Sequence, residues 1–171
     1  MIKKSGTCFI NKYNGYEIKR YWRGDRCTNT ELDIYLRAIN LVVIPPLEEI
    51  DYVIPALQLE AKRLYVSKYD TLRQFKDNIA EIAGFLYNTD LYGKYDRIRL
   101  WKYDSKKFEH DDAFLKWINQ RLAEHKNEKE SFEFEGQNID IYEPYKIKDI
   151  AYIQGCTLVV DFVGADGLGI F

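Results

Sequence analysis

The stretch IKDIAYIQGCTLVVDF, Ile147 to Phe162, decides how the fold closes. Its first half is turn-forming and ends on Gly155. Its second half, TLVVDF, alternates at one residue in two and stops at GADGLG, so it reads as a final strand. A chain that closes on a strand after such a turn is a small sheet fold. The segments before it must supply the remaining strands and a helix.

Working back from this end, FEFEGQNIDIY reads as a small hairpin, with Phe132 and Phe134 facing Ile139 and Ile141 around a Gly-containing turn. DDAFLKWINQRLAEHKNEKE, from Asp111, reads as an amphipathic helix. Phe114, Leu115, Ile118 and Leu122 form its stripe, Trp117 lies beside it, and two acids sit at its start. YDRIRLWKY alternates again, placing Ile98 and Leu100 on one face and Arg97, Arg99 and Trp101 on the other.

The strongest helix signal is SKYDTLRQFKDNIAEIAGFLY. Asp70 or Thr71 can cap it, Leu72, Phe75, Ile79 and Ile82 share a face, and Gly84 falls near its end. Before it, ELDIYLRAINLVVI reads as a strand, with Leu32, Ile34 and Leu36 opposed to Asp33, Tyr35 and Arg37, and Pro45-Pro46 ends it. LQLEAKRLYV is the return strand, with an irregularity near Ala61–Arg63 where the alternation changes phase. LEEIDYVIPAL, between them, fits either an extension of the hairpin arms or a long connection. Residues 1–30 are rich in Tyr, Gly, Asn and Lys, with one strand-like piece, YEIKRYW, followed by a loop, RGDRCTNT. The order is strand, strand, helix, strand, an inserted helix and hairpin, then a last strand. This is an α+β pattern, and one helix across a small mixed sheet suits a ubiquitin roll. Pattern alone leaves ferredoxin-like and other α+β rolls open.

The totals agree with one domain of ordinary size: 171 residues, 46% of them hydrophobic and 15% aromatic, can bury a proper core. Lys plus Arg number 25 against 27 Asp plus Glu, which lacks the basic excess of a nucleic-acid binder. Cys8, Cys27 and Cys156 are an odd, widely spaced set without a C-x-x-C pair, so a zinc ribbon is excluded on ligand spacing. They favour a reducing compartment, the cytoplasm by default, with an organelle left open. The first residues hold no apolar core of signal-peptide length, and no long apolar run occurs, so neither Sec export nor membrane insertion is expected.

Taken in order, ELDIYLRAINL, VSKYDTLRQFKDNIAEI, RIRLWKYDSKKFE and KIKDIAYIQGCTLVV resemble the ubiquitin-like domain that follows the DUSP domain in ubiquitin-specific proteases. In the last piece that family favours an Asp, a bulky residue, Gln-Gly and an aliphatic strand. Asp149, Tyr152, Gln154, Gly155, Leu158, Val159 and Val160 stand in those places. A Gly often found after the Asp is replaced by Ile150-Ala151. YEIKRYW resembles the closing strand of a DUSP domain. The resemblance implies a ubiquitin-like roll (β-grasp) over residues 31–163, with an insertion at 111–142, a DUSP remnant at 1–30 and a flexible tail at 164–171.

A protease of that family needs a Cys nucleophile at a helix start and a distant His held by Asp or Asn. Cys8 precedes no helix, Cys27 falls in the loop, Cys156 opens a strand, and His110 and His125 belong to the inserted helix. No catalytic pair is expected, and no cofactor. His110-Asp111-Asp112 reads as a helix start with favourable charge more readily than as a metal site. GADGLG lacks the strand–loop–helix context of a phosphate loop, and no Gly-Gly pair is present for conjugation.

What remains is a surface. Arg99, Trp101 and Val159 share the parity that points away from the helix, and in a ubiquitin roll their strands are neighbours. They are expected to form an exposed protein-binding patch, with Trp117 as a second anchor, unless the inserted helix covers them. The expected function is a non-catalytic interaction module. It would be an accessory or structural subunit of a multi-subunit complex, or else a regulatory module acting with deubiquitinase-pathway proteins. A small cysteine hydrolase is the third reading.

Overall fold

The computed structural model describes residues 7–13, 16–23, 25–28, 36–46, 59–87, 97–125, 131–150 and 157–171. Leu32, Ile34, Tyr152, Gln154, Gly155 and Cys156 lie outside the described residues, as do the side chains of Cys8, Cys27, Ile82 and His125.

The first part forms an antiparallel three-stranded sheet of β1 (Thr7–Tyr13), β2 (Tyr16–Arg23) and β3 (Arg26–Thr28). YEIKRYW is therefore a central strand, and the register slips between Thr7 and Phe9 against it. The expected RGDRCTNT loop instead carries β3, whose Cys27 pairs with Trp22.

The second sheet has five strands: β4 (Leu36–Val43), β5 (Lys62–Ser67), β6 (Arg97–Tyr103), β7 (Gly136–Asn138) and β8 (Thr157–Val163). Their order is β5-β4-β8-β6-β7. β4 runs parallel to β8, with Leu41 opposite Leu158, and the other neighbours are antiparallel. Among the described residues two α-helices accompany this mixed sheet, α1 (Leu72–Tyr87) and α2 (Asp111–His125), so the fold is α+β.

Helix α1 begins with a reciprocal capping box. Thr71 Oγ1 accepts from the Gln74 amide at 3.2 Å, and Gln74 Oε1 accepts from the Thr71 amide at 2.8 Å. Leu72, Phe75 and Ile79 then pack on Ile39, Leu41, Leu64, Val66, Leu100, Leu158 and Val160, all buried. The helix continues through Gly84 to Tyr87, so Gly84 does not end it. The parity expected for Leu100, Leu158 and Val160 holds.

Parity in β4 does not. Its register against β5 is regular, so Ile39, Leu41 and Val43 face α1 while Leu36 shares the side of Val42. Both sides of this strand are buried, and a strand covered twice loses the polar alternation that would reveal its inner face. The strand ends before Pro45-Pro46, as proline requires. The phase change near Ala61–Arg63 is no bulge: β5 starts at Lys62, and Leu59 turns to the other face.

That other face carries a second apolar cluster. Phe114, Ile118 and Leu122 of α2 pack with Val42, Ile44, Leu59, Phe108, Phe132, Val159 and Ile170. Asn119 clamps Leu59 from α2, its Oδ1 accepting from the Leu59 amide at 2.7 Å and its Nδ2 donating to the Leu59 carbonyl at 3.3 Å. The described sheet thus has a helix on each face, with β8 between them, buried at all seven residues.

The stretch FEFEGQNIDIY does not form the expected hairpin. Phe132 enters the α2 cluster at 6% exposure, Gly136–Asn138 pairs with β6 as an edge strand, and Ile139 crosses to the α1 cluster. Ile141 is left 68% exposed. The insertion is consequently part of the sheet and of both cores, because its alternate apolar residues are split between two faces. Gly136 permits this: a side chain there would meet the Phe134 ring and lie 2.6 Å from the Lys102 carbonyl.

Candidate functional site

The strands of the sheet bring Arg99, Trp101 and Val159 together as expected, but the face they occupy is not open. Trp101 lies opposite Val159 across β6 and β8, and Val159 is completely buried. Trp101 meets Phe134 at 5.4 Å and Phe171 at 5.8 Å, both edge-on. Trp117 sits in the same cluster, 5.3 Å from Phe108 and 6.3 Å from Phe132. The exposed patch predicted at Arg99, Trp101, Val159 and Trp117 is therefore corrected to a covered face, with Val159 buried and the other three half-buried under α2 and residues 164–171. The stripe of α2 is satisfied on the sheet.

The polar centre of this face is Asp161, which has no solvent exposure. It lies directly opposite Arg99 in the β6–β8 ladder. Arg99 Nε donates to its Oδ1 at 3.1 Å, Arg99 Nη2 donates to Oδ2, and Trp101 Nε1 donates to Oδ1 at 2.8 Å. Burial pushes the Asp161 carboxyl above its ordinary value, opposed by the bonds from Arg99 and Trp101, the Arg99 charge and a backbone bond from Phe171. Sequence reasoning missed Asp161; an acid inside the apolar run TLVVDFV is the signal that could have found it, while its partner emerges only with the strand register.

Residues 164–171, expected as a flexible tail, close over this pair. A turn at Gly164–Gly167, with Gly167 at φ 78°, returns the chain, and the Gly164 amide donates to the Leu168 carbonyl at 3.1 Å. Ile170 is then buried at 1%, its carbonyl accepting from the Phe132 amide at 2.9 Å. Arg99 Nη2 also donates to the Phe171 carbonyl at 2.8 Å, and Ser131 Oγ donates to the Gly169 carbonyl. Phe171 stacks on Phe134 at 4.5 Å.

The helix start at Asp111 is likewise committed. Tyr103 OH donates to Asp111 Oδ1, and Thr157 Oγ1 donates to Oδ2 at 2.6 Å, tying α2 to two strands. A comparable tie holds the other face: Lys76, 8% exposed, reaches Asp140 Oδ1 at 3.0 Å and also Glu143. Asp140 Oδ1 in turn accepts from the Leu100 amide at 3.0 Å.

Among the described residues, three of the four exposed large apolar side chains lie elsewhere. Segment 141–149 crosses segment 68–73 at the start of α1. The Ile147 amide donates to the Asp70 carbonyl at 2.9 Å, Lys148 to Lys68 at 3.0 Å, Leu72 to Tyr145 at 3.0 Å and Arg73 to Glu143 at 3.0 Å. Ile147 and Leu72 point inward, at 1% and 0% exposure. Tyr69, Tyr145 and Ile141 point outward, at 50%, 56% and 68%. Ile141 was expected in a hairpin and the two tyrosines were not singled out, since the two segments meet only when the stretch before the last strand folds over the helix start. Among the described helices, none is long and apolar enough to cross a membrane. Models of known protein families give no match to this chain, and no curated protein matches it.

Proposed function

We propose that the chain is a protein–protein interaction module built on a ubiquitin-like roll, serving by contact as an accessory or structural subunit of a larger assembly. Two features support the roll. The central strands β4 and β8 are parallel with antiparallel strands outside them, and a single capped helix lies across one face. The segments that resemble the ubiquitin-like domain of ubiquitin-specific proteases supply these strands and that helix.

The observation that carries the contact reading is the surface at the start of α1. Of the four large apolar side chains left exposed among the described residues, Tyr69, Ile141 and Tyr145 belong to this one crossing. Tyr is favoured at interfaces because it offers a large apolar face with a polar end. The buried Lys76, Thr157 and Asp161, by contrast, are used in holding elements together.

The test is purification of the tagged chain from its native source after mild cross-linking, with partners identified and their stoichiometry measured. A fixed set of stoichiometric partners is expected. Ubiquitin-pathway enzymes in that set would favour a regulatory role in deubiquitination. A chain recovered free of partners, or one labelled by a ubiquitin probe that alkylates catalytic thiols, would sink the contact reading.

A further inference from the structure

We propose that the crossing of segments 68–73 and 141–149 is the docking surface, and that its partner is a peptide segment carrying carboxylates interleaved with large apolar side chains. The inference rests on the contact reading above and adds the place and the partner's chemistry.

The surface is preformed. Four backbone hydrogen bonds join the two segments, and Ile147, Leu72 and Ile150 anchor them in the core. A partner therefore meets a fixed relief, which limits the ordering cost of binding. The apolar part of the relief is Tyr69, Tyr145 and Ile141, with the half-buried Tyr142 ring edge-on to Tyr145 at 6.1 Å.

Charge fixes the partner's sign. The two segments carry Lys68, Arg73, Lys146 and Lys148 against Asp70, Glu143 and Asp149. Glu143 is shared by Lys76 and Arg73, and Lys146 and Lys148 stand exposed against Asp149, so the crossing is locally positive on a chain of net charge −2. The Lys148 ammonium stands 5.5 Å from the centre of the Tyr69 ring, and the Arg73 side chain is 73% exposed. Lys148 therefore flanks aromatic surface, where a carboxylate and an apolar group of one ligand can be met together.

The test uses short fluorescein-labelled peptides in anisotropy titrations with the full chain. One alternates Glu with Leu and Phe, a second replaces Glu by Lys, a third replaces Leu and Phe by Ser, and a single-stranded oligonucleotide is the fourth probe. The acidic–apolar peptide should bind best, with affinity falling as salt is raised. Tyr69→Ser with Tyr145→Ser should weaken it at least about tenfold, the scale of losing interface aromatics. Lys146→Glu with Lys148→Glu should weaken it as well and improve binding of the Lys peptide. Both pairs alter exposed side chains, and unchanged melting will confirm that the fold is kept. Equal binding of the acidic and Lys peptides, no binding of the acidic peptide, a preference for the oligonucleotide, or full affinity in both variants would overturn the proposal. A stoichiometric native complex that survives both variants would move the surface elsewhere and leave the contact reading standing.

Discussion

Gly169→Ala is the sharpest probe of the closing segment. A methyl at this position would stand 2.6 Å from Arg99 Nη2, 3.0 Å from Asp161 Oδ2 and 3.2 Å from the Phe162 carbonyl. An arginine head can normally step aside. Here its fork is held by Asp161 and by the Phe171 carbonyl, and the Phe162 carbonyl is fixed in β8. The segment must therefore lift. Complete release would expose Ile170, worth about 1.5–3 kcal/mol when fully buried. It would also break the Phe132–Ile170 and Ser131–Gly169 hydrogen bonds, at roughly 0.5–1.5 kcal/mol each. Rehydration of Asp161 and Arg99 returns part of this, so a net loss of about 2–4 kcal/mol is expected, within the range of overpacked or unseated sites. Urea unfolding followed by Trp fluorescence measures the loss, and hydrogen exchange at the Phe132 amide reports the lifting directly. Gly167→Ala is the control. It meets no atom within 4 Å but sits at φ 78°, so it should lose only about 1 kcal/mol and leave that amide protected. Gly169→Ala within about 0.5 kcal/mol of the parent, with Phe132 still protected, would refute the close packing of this segment.

Asp161 gives a pH test. Its folded pKa is raised by burial, so its stabilising contribution is full below the unfolded value near 3.9 and is lost as pH rises through the folded value. The stability gap between the parent and Asp161→Asn should therefore shift in the parent's favour as pH falls from neutral toward about 4, measured as urea midpoints. A shift the other way would mean that pairing with Arg99 outweighs burial. Replacing residues 111–142 by a Gly/Ser linker removes Phe114, Ile118, Leu122, Phe132 and Ile139, each worth about 1.5–3 kcal/mol when buried. Cooperative unfolding should disappear, whereas a variant that still melts sharply would show that the core closes without this segment.

The elements could be read from the sequence wherever one pattern had one cause. The capping box at Thr71 and Gln74 and the stripe Leu72, Phe75, Ile79 follow from local chemistry, and so does α2, with Phe114, Ile118 and Leu122 on one side. Inner faces were harder. In RIRLWKY the alternation of Ile98 and Leu100 with charged residues pointed correctly to the α1 core, yet the opposite side is interior too. Arg99 and Trp101 look like surface residues because the partner of their polar atoms, Asp161, lies sixty-two and sixty positions away in sequence. Strand β8 shows why the patch was misplaced. A strand with solvent on one side alternates, but TLVVDFV is apolar at five of its seven residues, its Thr157 hydroxyl is bonded to Asp111, and its one charge is neutralised across the sheet. Asp161 was thus the informative residue of the run. A lone acid in a doubly covered strand demands a cation on the adjacent strand and a cover that keeps water out. Arg99 answers the first requirement and residues 164–171 the second. The same reasoning moves the search for a partner away from this face, toward the side chains that the fold leaves exposed at the start of α1.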